Sequence, residues 1–181
     1  MSNTKTFTRI FTIADYEEEE NWLREQSRKG LHLQKMIQPF LYIFEVGEPE
    51  DVIYRLDYRN GRGDQDYTQM FADYGWECCG RCFGWIYFRK PASTVTCEEE
   101  GELFSDSESR LSMVQHVMMT RMLPLLVVFL CILIPQWMNI MDRPGEGVLE
   151  IIFTVLMVLY VILILHCGRK LYRLRKKLKK F

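Results

Sequence analysis

Two long apolar runs near the C-terminus constrain this chain more than any other feature. The first run covers Met122 to Ile140 and the second covers Val148 to Cys167. Each has about the 20 residues that a helix needs to cross the hydrocarbon core of a bilayer. Glu150, in the first turn of the second run, is the one charged residue inside either run. The two runs therefore predict a transmembrane helical hairpin.

Charge is divided unevenly between the two parts of the chain. Residues 1–109 carry 12 Lys and Arg against 21 Asp and Glu, whereas residues 110–181 carry 11 against 3. The basic residues of the second part lie mainly before the first run and after the second. Because positively charged flanks stay on the cytoplasmic side, we expect both termini in the cytoplasm. Cysteines of a cytosolic domain are expected to be reduced.

The N-terminal part shows the pattern of one small α+β domain. Its apolar periodicity and turn residues predict the order β-α-β-β-β-α-β-β. Asp15 and Glu18 have the spacing of a capping box at the start of the first helix. Gly30 and Gly75 are expected to end the two helices. This order predicts a two-layer ferredoxin-like sandwich, with two helices on one face of an antiparallel sheet.

The first helix has a thin inward stripe, which we expect to contain Tyr16, Glu19, Glu20, Trp22, Leu23 and Gln26. In the first apolar run, Pro135 is expected to bend the helix, because proline removes a backbone hydrogen bond.

The predicted divisions are a cytosolic α+β domain (1–91), an acidic linker (92–104), a juxtamembrane helix with the first transmembrane helix (105–141), the second transmembrane helix (148–168) and a basic amphipathic tail (169–181).

The basic tail alternates with leucine and directly follows an apolar run. This pattern favours a helix at the inner membrane interface, with its charges toward anionic lipid. A nucleic-acid contact is the alternative for a basic segment, but the position beside a span favours lipid. The residues expected to face lipid headgroups are Arg169, Lys170, Arg173, Arg175, Lys176 and Lys177.

Cys78, Cys79 and Cys82 form the one cluster with a metal or redox spacing. A structural zinc site needs four ligands, and no second C-x-x-C pair is present. A redox pair usually opens a helix, whereas this cluster lies in a predicted strand. Ordinary reduced strand cysteines are therefore the favoured interpretation, with metal binding and thiol chemistry as alternatives.

The sequence contains no nucleophile elbow and no phosphate-binding loop. We therefore expect no catalytic activity, no cofactor and no metal. Aromatic residues are many for so small a domain, and core packing explains most of them. Some of them are candidates for a recognition groove, because aromatic side chains anchor interfaces. The candidate recognition residues are Trp22, Trp76, Trp85, Tyr54 and Arg55.

An ordered set of short motifs runs through the N-terminal part and ends shortly before the first apolar run. Its members are Lys5, Phe7, Asp15, Glu19, Trp22, Leu23, Gly30, Ile53, Tyr54, Arg55, Asp57, Gly75, Trp76, Glu77, Trp85, Tyr87, Phe88, Arg89, Lys90, Pro91 and the segment Leu103–Ser109. From Lys5 to about Met113 the chain resembles the bacterial domain-of-unknown-function family 2812. The resemblance implies a small membrane protein, mainly of Gram-positive bacteria, often encoded beside a PadR-type regulator. It implies a regulatory or stress setting, and it brings no established activity and no catalytic residues.

These observations predict a binding or regulatory module, anchored in a bacterial cell membrane and facing the cytoplasm. Its expected partners are the lipid bilayer and another membrane or cytosolic protein, and not nucleic acid. An accessory subunit of a transporter or other membrane complex is the alternative. The apolar runs are poor in the small residues that tight helix packing in membranes uses, which argues against that alternative.

Overall fold

The computed structural model describes residues 3–37, 40–59, 64–103, 107–141 and 147–178. The chain divides into two compact units, Met1–Ser109 and Arg110–Phe181. The predicted order of strands and helices in the first unit is confirmed. Its elements are β1 (Thr4–Thr8), α1 (Tyr16–Ser27), β2 (Leu31–Ile37), β3 (Leu41–Val46), β4 (Val52–Tyr58), α2 (Asp64–Asp73), β5 (Glu77–Cys82) and β6 (Trp85–Pro91).

The described strands form two antiparallel three-stranded sheets. Sheet A has the order β1-β3-β2 and sheet B has the order β4-β6-β5. The α+β class is thus confirmed, whereas the ferredoxin-like layout, which needs one continuous sheet, is not. Both β2 and β5 contain a register shift, at Leu33/Lys35 and at Cys78/Gly80. A bulge bends a strand and interrupts its hydrogen-bond ladder, and both of these strands lie at the edge of their sheet.

Helix α1 packs against both sheets through the inward stripe that its periodicity predicts. Trp22 lies on Tyr42 and Phe44 of sheet A, at 4.9 Å and 5.6 Å between ring centres. Tyr16 stacks on Trp85 of sheet B at 5.7 Å. Aromatic pairs at these distances contribute beyond the area that they bury. The helix therefore packs on both sheets of the first unit, which also contact each other through the hydrogen bond from the Leu33 N–H to the Tyr54 hydroxyl at 3.3 Å.

The predicted capping box at the start of α1 is wrong. The side chain of Asp15 makes no cap hydrogen bond to the helix. Its Oδ2 instead accepts hydrogen bonds from the backbone N–H of Thr12 at 2.8 Å and from the Thr12 hydroxyl at 2.6 Å. Asp side chains often accept hydrogen bonds from nearby backbone groups in turns. Here the Asp15 carboxylate binds the turn before the helix and not the helix N-terminus.

Gly30 follows α1 in a left-handed conformation, with φ of 76°, as predicted for a helix end. A Cβ atom at this position would lie 2.5 Å from the carbonyl oxygen of Gly47. The two glycines are also joined by a hydrogen bond, in which the Gly47 N–H donates to the Gly30 carbonyl at 2.9 Å. The close backbone contact and the positive φ both require glycine here.

A second apolar core lies between α2 and sheet B. Its buried members are Ile53, Phe71, Trp76, Ile86 and Phe88, and partly buried neighbours pack against it. Three of those neighbours belong to the stretch predicted as an acidic linker, namely Ala92, Val95 and Leu103. This stretch forms two short 3₁₀ turns, Ala92–Thr94 and Glu98–Gly101. It packs against the domain that it follows.

The second unit contains two helices long and apolar enough to cross a membrane, over Ser109–Ile140 and Glu150–Lys176. The connection 142–146 lies outside the described residues. The first of these helices is built from α3 (Ser107–Val117), a π-helical turn (Met118–Met122), α4 (Leu123–Val128), a second π-helical turn (Phe129–Leu133) and α5 (Ile134–Met141). The second is α6 (Gly147–Leu178), a single α-helix that continues into the basic tail.

Each π-helical turn ends two residues before a proline. Met118–Met122 precedes Pro124, and Phe129–Leu133 precedes Pro135. A proline ring clashes with the carbonyl four residues earlier, which here belongs to Thr120 or Cys131 inside the π turn. A wider turn relieves that clash, and both prolines and π turns are established sites of helix distortion. The distortion predicted at Pro135 therefore takes the form of a π turn.

Candidate functional site

A cavity of about 760 Å³ opens beside α2 in the first unit. Its volume lies within the range of small-molecule sites. Four parts of the chain line it: one side of α2 with the residues after it, β6, the segment after the first 3₁₀ turn, and the start of α3. The lining residues are Tyr67, Met70, Phe71, Tyr74, Trp76, Lys90, Cys97, Glu99, Glu100, Glu102, Leu103 and Ser109.

The apolar wall of the cavity is built from aromatic side chains of α2 and sheet B. Tyr67 and Phe71 are one helical turn apart, and their ring centres lie 4.9 Å apart. Phe71 also packs on Phe88 of β6 at 5.0 Å. Gly75 ends α2 with φ of 80°, which returns the chain so that Trp76 is buried beside them. The wall is therefore continuous with the second core.

Lys90 is the buried cation of this lining, with only 7% of its surface exposed. Its Nζ donates to the carbonyl oxygen of Tyr74 at 3.0 Å and to that of Glu100 at 3.4 Å. The same atom lies 5.7 Å from the centre of the Trp76 ring, a cation–π distance. Alternation along β6 explains the position, since Lys90 shares the sheet face of Ile86 and Phe88.

The acidic residues around the cavity have partners of their own. Glu102 accepts two hydrogen bonds from Arg55, at 2.7 Å and 3.2 Å. Glu100 accepts from the backbone N–H and the hydroxyl of Thr96, both at 2.8 Å. These bonds hold the pKa of the exposed Glu100 carboxyl below its usual range. Glu99 is exposed to solvent. The carboxylates thus lie at the surface, whereas the ammonium of Lys90 is buried.

A second polar cluster surrounds two carboxylates of α1. Glu19 Oε1 accepts hydrogen bonds from the hydroxyls of Tyr42 at 2.8 Å and Tyr87 at 2.7 Å. Burial is the main cause that raises the pKa of Glu19, and the two hydroxyls oppose it. The same burial, together with the carboxylate, raises the pKa of both tyrosines. Because Tyr42 belongs to sheet A and Tyr87 to sheet B, this carboxylate joins α1 to both sheets.

The neighbouring carboxylate connects α1 with the edge of the cavity. Glu20 Oε1 accepts the backbone N–H of Leu56 at 2.8 Å, and its Oε2 lies 3.6 Å from Nη1 of Arg55. Arg55 in turn holds Glu102 of the cavity lining. One guanidinium therefore ties the helix, strand β4 and the segment beside the cavity together.

Four of the five candidate recognition residues lie in the core. Trp22 is 8% exposed, Trp76 3%, Trp85 6% and Tyr54 0%. Arg55, the fifth, is engaged with Glu20 and Glu102 as described above. Trp76 is the one aromatic residue of the set that lines the cavity. The other three rings are enclosed by core packing in this conformation.

The three clustered cysteines lie on different faces of β5. Cys78 packs against the second core, whereas the Sγ of Cys79 lies 3.5 Å from the carbonyl oxygen of Tyr87. Burial raises the pKa of the Cys79 thiol to about 12. Cys82, at the end of the strand, is half-buried. Among the residues that the structure describes, no group of three His, Cys, Asp or Glu side chains is placed to hold a metal ion.

The basic tail is the C-terminal part of α6. Arg169, Arg173 and Lys176 are exposed and share one helical face, whereas Lys170 and Arg175 are half-buried. Leu171, between them, is 1% exposed. The side chain of Lys177 lies outside the described residues.

Lys90 and Tyr87 are the functional candidates that sequence reasoning did not single out for a role. The alternation of strand β6 contains the signal for Lys90, because it places a lysine on the apolar face with Ile86 and Phe88. No local signal marks Tyr87, because its partner Glu19 lies 68 residues earlier in the chain.

The fold and the cavity define a small α+β domain joined to a pair of helices that are apolar enough to cross a bilayer. The chain belongs to the family described as "Protein of unknown function (DUF2812)", which matches residues 15–128. The resemblance found in the sequence motifs is thereby confirmed. No curated protein and no solved structure matches the chain.

Proposed function

We propose that this chain is a membrane-anchored module that binds a small ligand on the cytoplasmic side of a bacterial cell membrane. The first unit binds the ligand in the cavity beside α2. The second unit holds the chain in the bilayer as a helical hairpin, with both termini in the cytoplasm. The binding event serves regulation and involves no catalysis.

The observation that carries this proposal is the cavity itself. It combines an aromatic wall with a few polar groups, which is the usual composition of a ligand site. Its size suits a small molecule, and its floor is fixed by the second core. The link from Glu102 through Arg55 to Glu20 offers a path by which an occupied cavity would act on α1.

The surface of the second unit supports the anchoring part of the proposal. Large apolar side chains are exposed along both long helices, for example Ile132 at 59% and Leu159 at 57%. An exposed apolar surface of this extent is unusual for a soluble protein and is expected in lipid. The basic residues of the tail support the proposed orientation, because positively charged flanks tend to stay on the cytoplasmic side.

Ligand binding is tested with the full chain purified in detergent and screened against a small-molecule library by thermal shift. Met70 lines the cavity and is 45% exposed, so Met70→Trp fills the cavity with little effect on the core. Gln69→Trp places the same ring on the neighbouring exposed position, which does not line the cavity. We expect hits that stabilise the wild type and Gln69→Trp but not Met70→Trp. Hits that stabilise Met70→Trp equally, or a library without hits, would contradict the cavity as the site.

Orientation is tested by labelling intact cells with a membrane-impermeant maleimide. Cys97 is exposed in the first unit, and we expect it to be labelled only after the cells are permeabilised. A Gly145→Cys variant places a thiol in the connection between the helices, and we expect it to be labelled in intact cells.

Resistance of the chain to carbonate extraction checks the anchoring. Replacement of the hairpin by an unrelated span pair distinguishes this module from a transporter subunit, because only the subunit depends on the hairpin sequence.

A further inference from the structure

We propose that the cavity takes a small apolar carboxylate, whose carboxylate group accepts a hydrogen bond from the ammonium of Lys90. The apolar body of the ligand lies along the aromatic wall of α2. This inference rests on the proposed ligand-binding function and names the chemical class of the ligand.

Lys90 has one more hydrogen-bond donor than its protein acceptors use. An ammonium group has three N–H donors. The carbonyl oxygens of Tyr74 and Glu100 take two of them. Within the described residues, no carboxylate lies within 4.0 Å of this nitrogen. A buried charge is normally paired, because an unpaired one loses its hydration without compensation. The Trp76 ring lies beside this nitrogen, and the exposed Glu100 carboxylate attracts it from a longer distance. The third N–H remains available, and the positive charge of the buried ammonium favours an anionic acceptor for it.

The wall of the cavity is mainly apolar. Tyr67, Phe71 and Trp76 present ring surfaces, and Leu103 and Met70 add aliphatic ones. Such a lining stabilises a flat or branched apolar body by excluding water from it. A bare inorganic anion would leave this surface wet. The ligand is therefore an amphiphile with one polar end.

The charges around the cavity limit the polar end to one negative charge. Glu99 and Glu100 are exposed lining residues, and they repel a phosphate dianion more strongly than a carboxylate. Their field is screened by solvent, whereas the buried ammonium of Lys90 is screened much less. Glu102 is paired with Arg55, a guanidinium that it shares with Glu20. A single carboxylate at Lys90 is thus favoured over both a phosphate and an organic cation.

Isothermal titration of the full chain in detergent tests the ligand class with three probes of one shape. Indole-3-propionate carries the carboxylate, whereas indole-3-ethanol and tryptamine replace it by a hydroxyl and an ammonium. We expect indole-3-propionate to bind about tenfold or more tightly than the alcohol, as a charged hydrogen bond implies. Lys90→Met keeps the apolar stem and should abolish that preference.

A charge pair at Met70 provides a test that does not depend on a buried substitution. Met70 is 45% exposed and lines the cavity. Met70→Lys should tighten the binding of indole-3-propionate and Met70→Glu should weaken it, with little change for the alcohol. Equal affinity for the carboxylate and the alcohol, or a preference that survives in Lys90→Met, would overturn the carboxylate assignment. In that case library hits abolished by Met70→Trp would leave the binding function standing.

Discussion

The hydroxyl of Tyr87 lies 2.7 Å from Oε1 of Glu19. This hydrogen bond joins helix α1 to β6, the central strand of sheet B. Tyr42 donates to the same oxygen from sheet A at 2.8 Å. The carboxylate is 6% exposed, so that both hydrogen bonds form away from solvent. Hydrogen bonds to a charged group contribute more to stability than those between neutral groups. This one oxygen is therefore a central contact of the first unit.

Tyr87→Phe should lower the free energy of unfolding by about 1.5–3 kcal/mol, because the buried carboxylate loses one donor while the ring remains. Chemical denaturation of the full chain in detergent measures the effect. Tyr74→Phe is the matched control, since this side chain is 70% exposed. A loss no greater than that of the control would show that the Glu19 contact does not stabilise the fold.

The buried carboxylate also predicts a pH dependence. The pKa of Glu19 is raised in the folded state, mainly by burial, above its usual value of 4.5. A raised folded pKa means that the folded state binds the proton more tightly. The stability that this provides is fully present below pH 4.5 and is lost as the pH rises through the folded pKa.

Glu19→Gln has no proton to lose, so that its stability should not follow this dependence. We expect the free energy of unfolding of the wild type, relative to Glu19→Gln, to decrease between pH 4 and pH 8. Urea unfolding of both proteins across that range measures the difference. A difference that stays constant with pH would mean that Glu19 has the same pKa in the folded and unfolded states.

The features of this fold that the sequence predicts are those that depend on residues close together in the chain. Gly30 and Gly75 end the two helices of the first unit where their positions in the apolar pattern indicate. The inward stripe of α1, which includes Glu19 and Trp22, follows from a period of 3.6 residues. These features depend on neighbours within one or two turns of the chain, which the sequence contains directly.

Features that depend on distant partners were not predictable in the same way. The division into two sheets, and bulges such as that at Cys78/Gly80, are not revealed by the alternation of strand residues. Asp15 has the spacing of a cap, but the two donors of Thr12 compete for its carboxylate. The cavity needs α2 and the segment around Glu100 in one place, and the sequence alone does not indicate that they meet.

Gly30→Ala should destabilise the first unit by about 2 kcal/mol or more. A non-glycine residue in the left-handed conformation costs about 1–2 kcal/mol. In addition, the new Cβ would lie 2.5 Å from the backbone oxygen of Gly47, which has little freedom to move. Gly80→Ala is the control, because a Cβ there meets no atom within 4 Å. Thermal denaturation compares the two variants. Similar melting temperatures would exclude a close approach at Gly30.

The cysteines of the first unit should differ in their reactivity toward maleimide. The thiolate is the reactive form, and burial raises the pKa of Cys79 to about 12. Cys97 is exposed. At pH 8 we expect Cys97 to be labelled rapidly and Cys79 only after the chain unfolds. Mass spectrometry of labelled peptides measures both, and Cys97→Ser should remove the fast phase while Cys79→Ser leaves it. Rapid labelling of Cys79 in the folded chain would contradict its burial.

Tyr160 should contribute to the pairing of the two long helices in the second unit. Its hydroxyl donates to the carbonyl oxygen of Leu125 at 2.8 Å, and its ring stacks on Phe129 at 5.4 Å. Tyr160→Phe removes the hydroxyl and keeps the stacked ring. Hydrogen bonds between helices in membranes contribute about 0.6 kcal/mol on average, and we expect a loss of that order. Unfolding in mixed detergent micelles measures it, with the exposed Tyr172→Phe as control.

Because a second contact joins Trp137 to Thr154 at 3.4 Å, the double variant Tyr160→Phe with Trp137→Phe should lose more stability than either single variant. Equal stability of the double variant and the wild type would mean that ring packing alone holds the helices together.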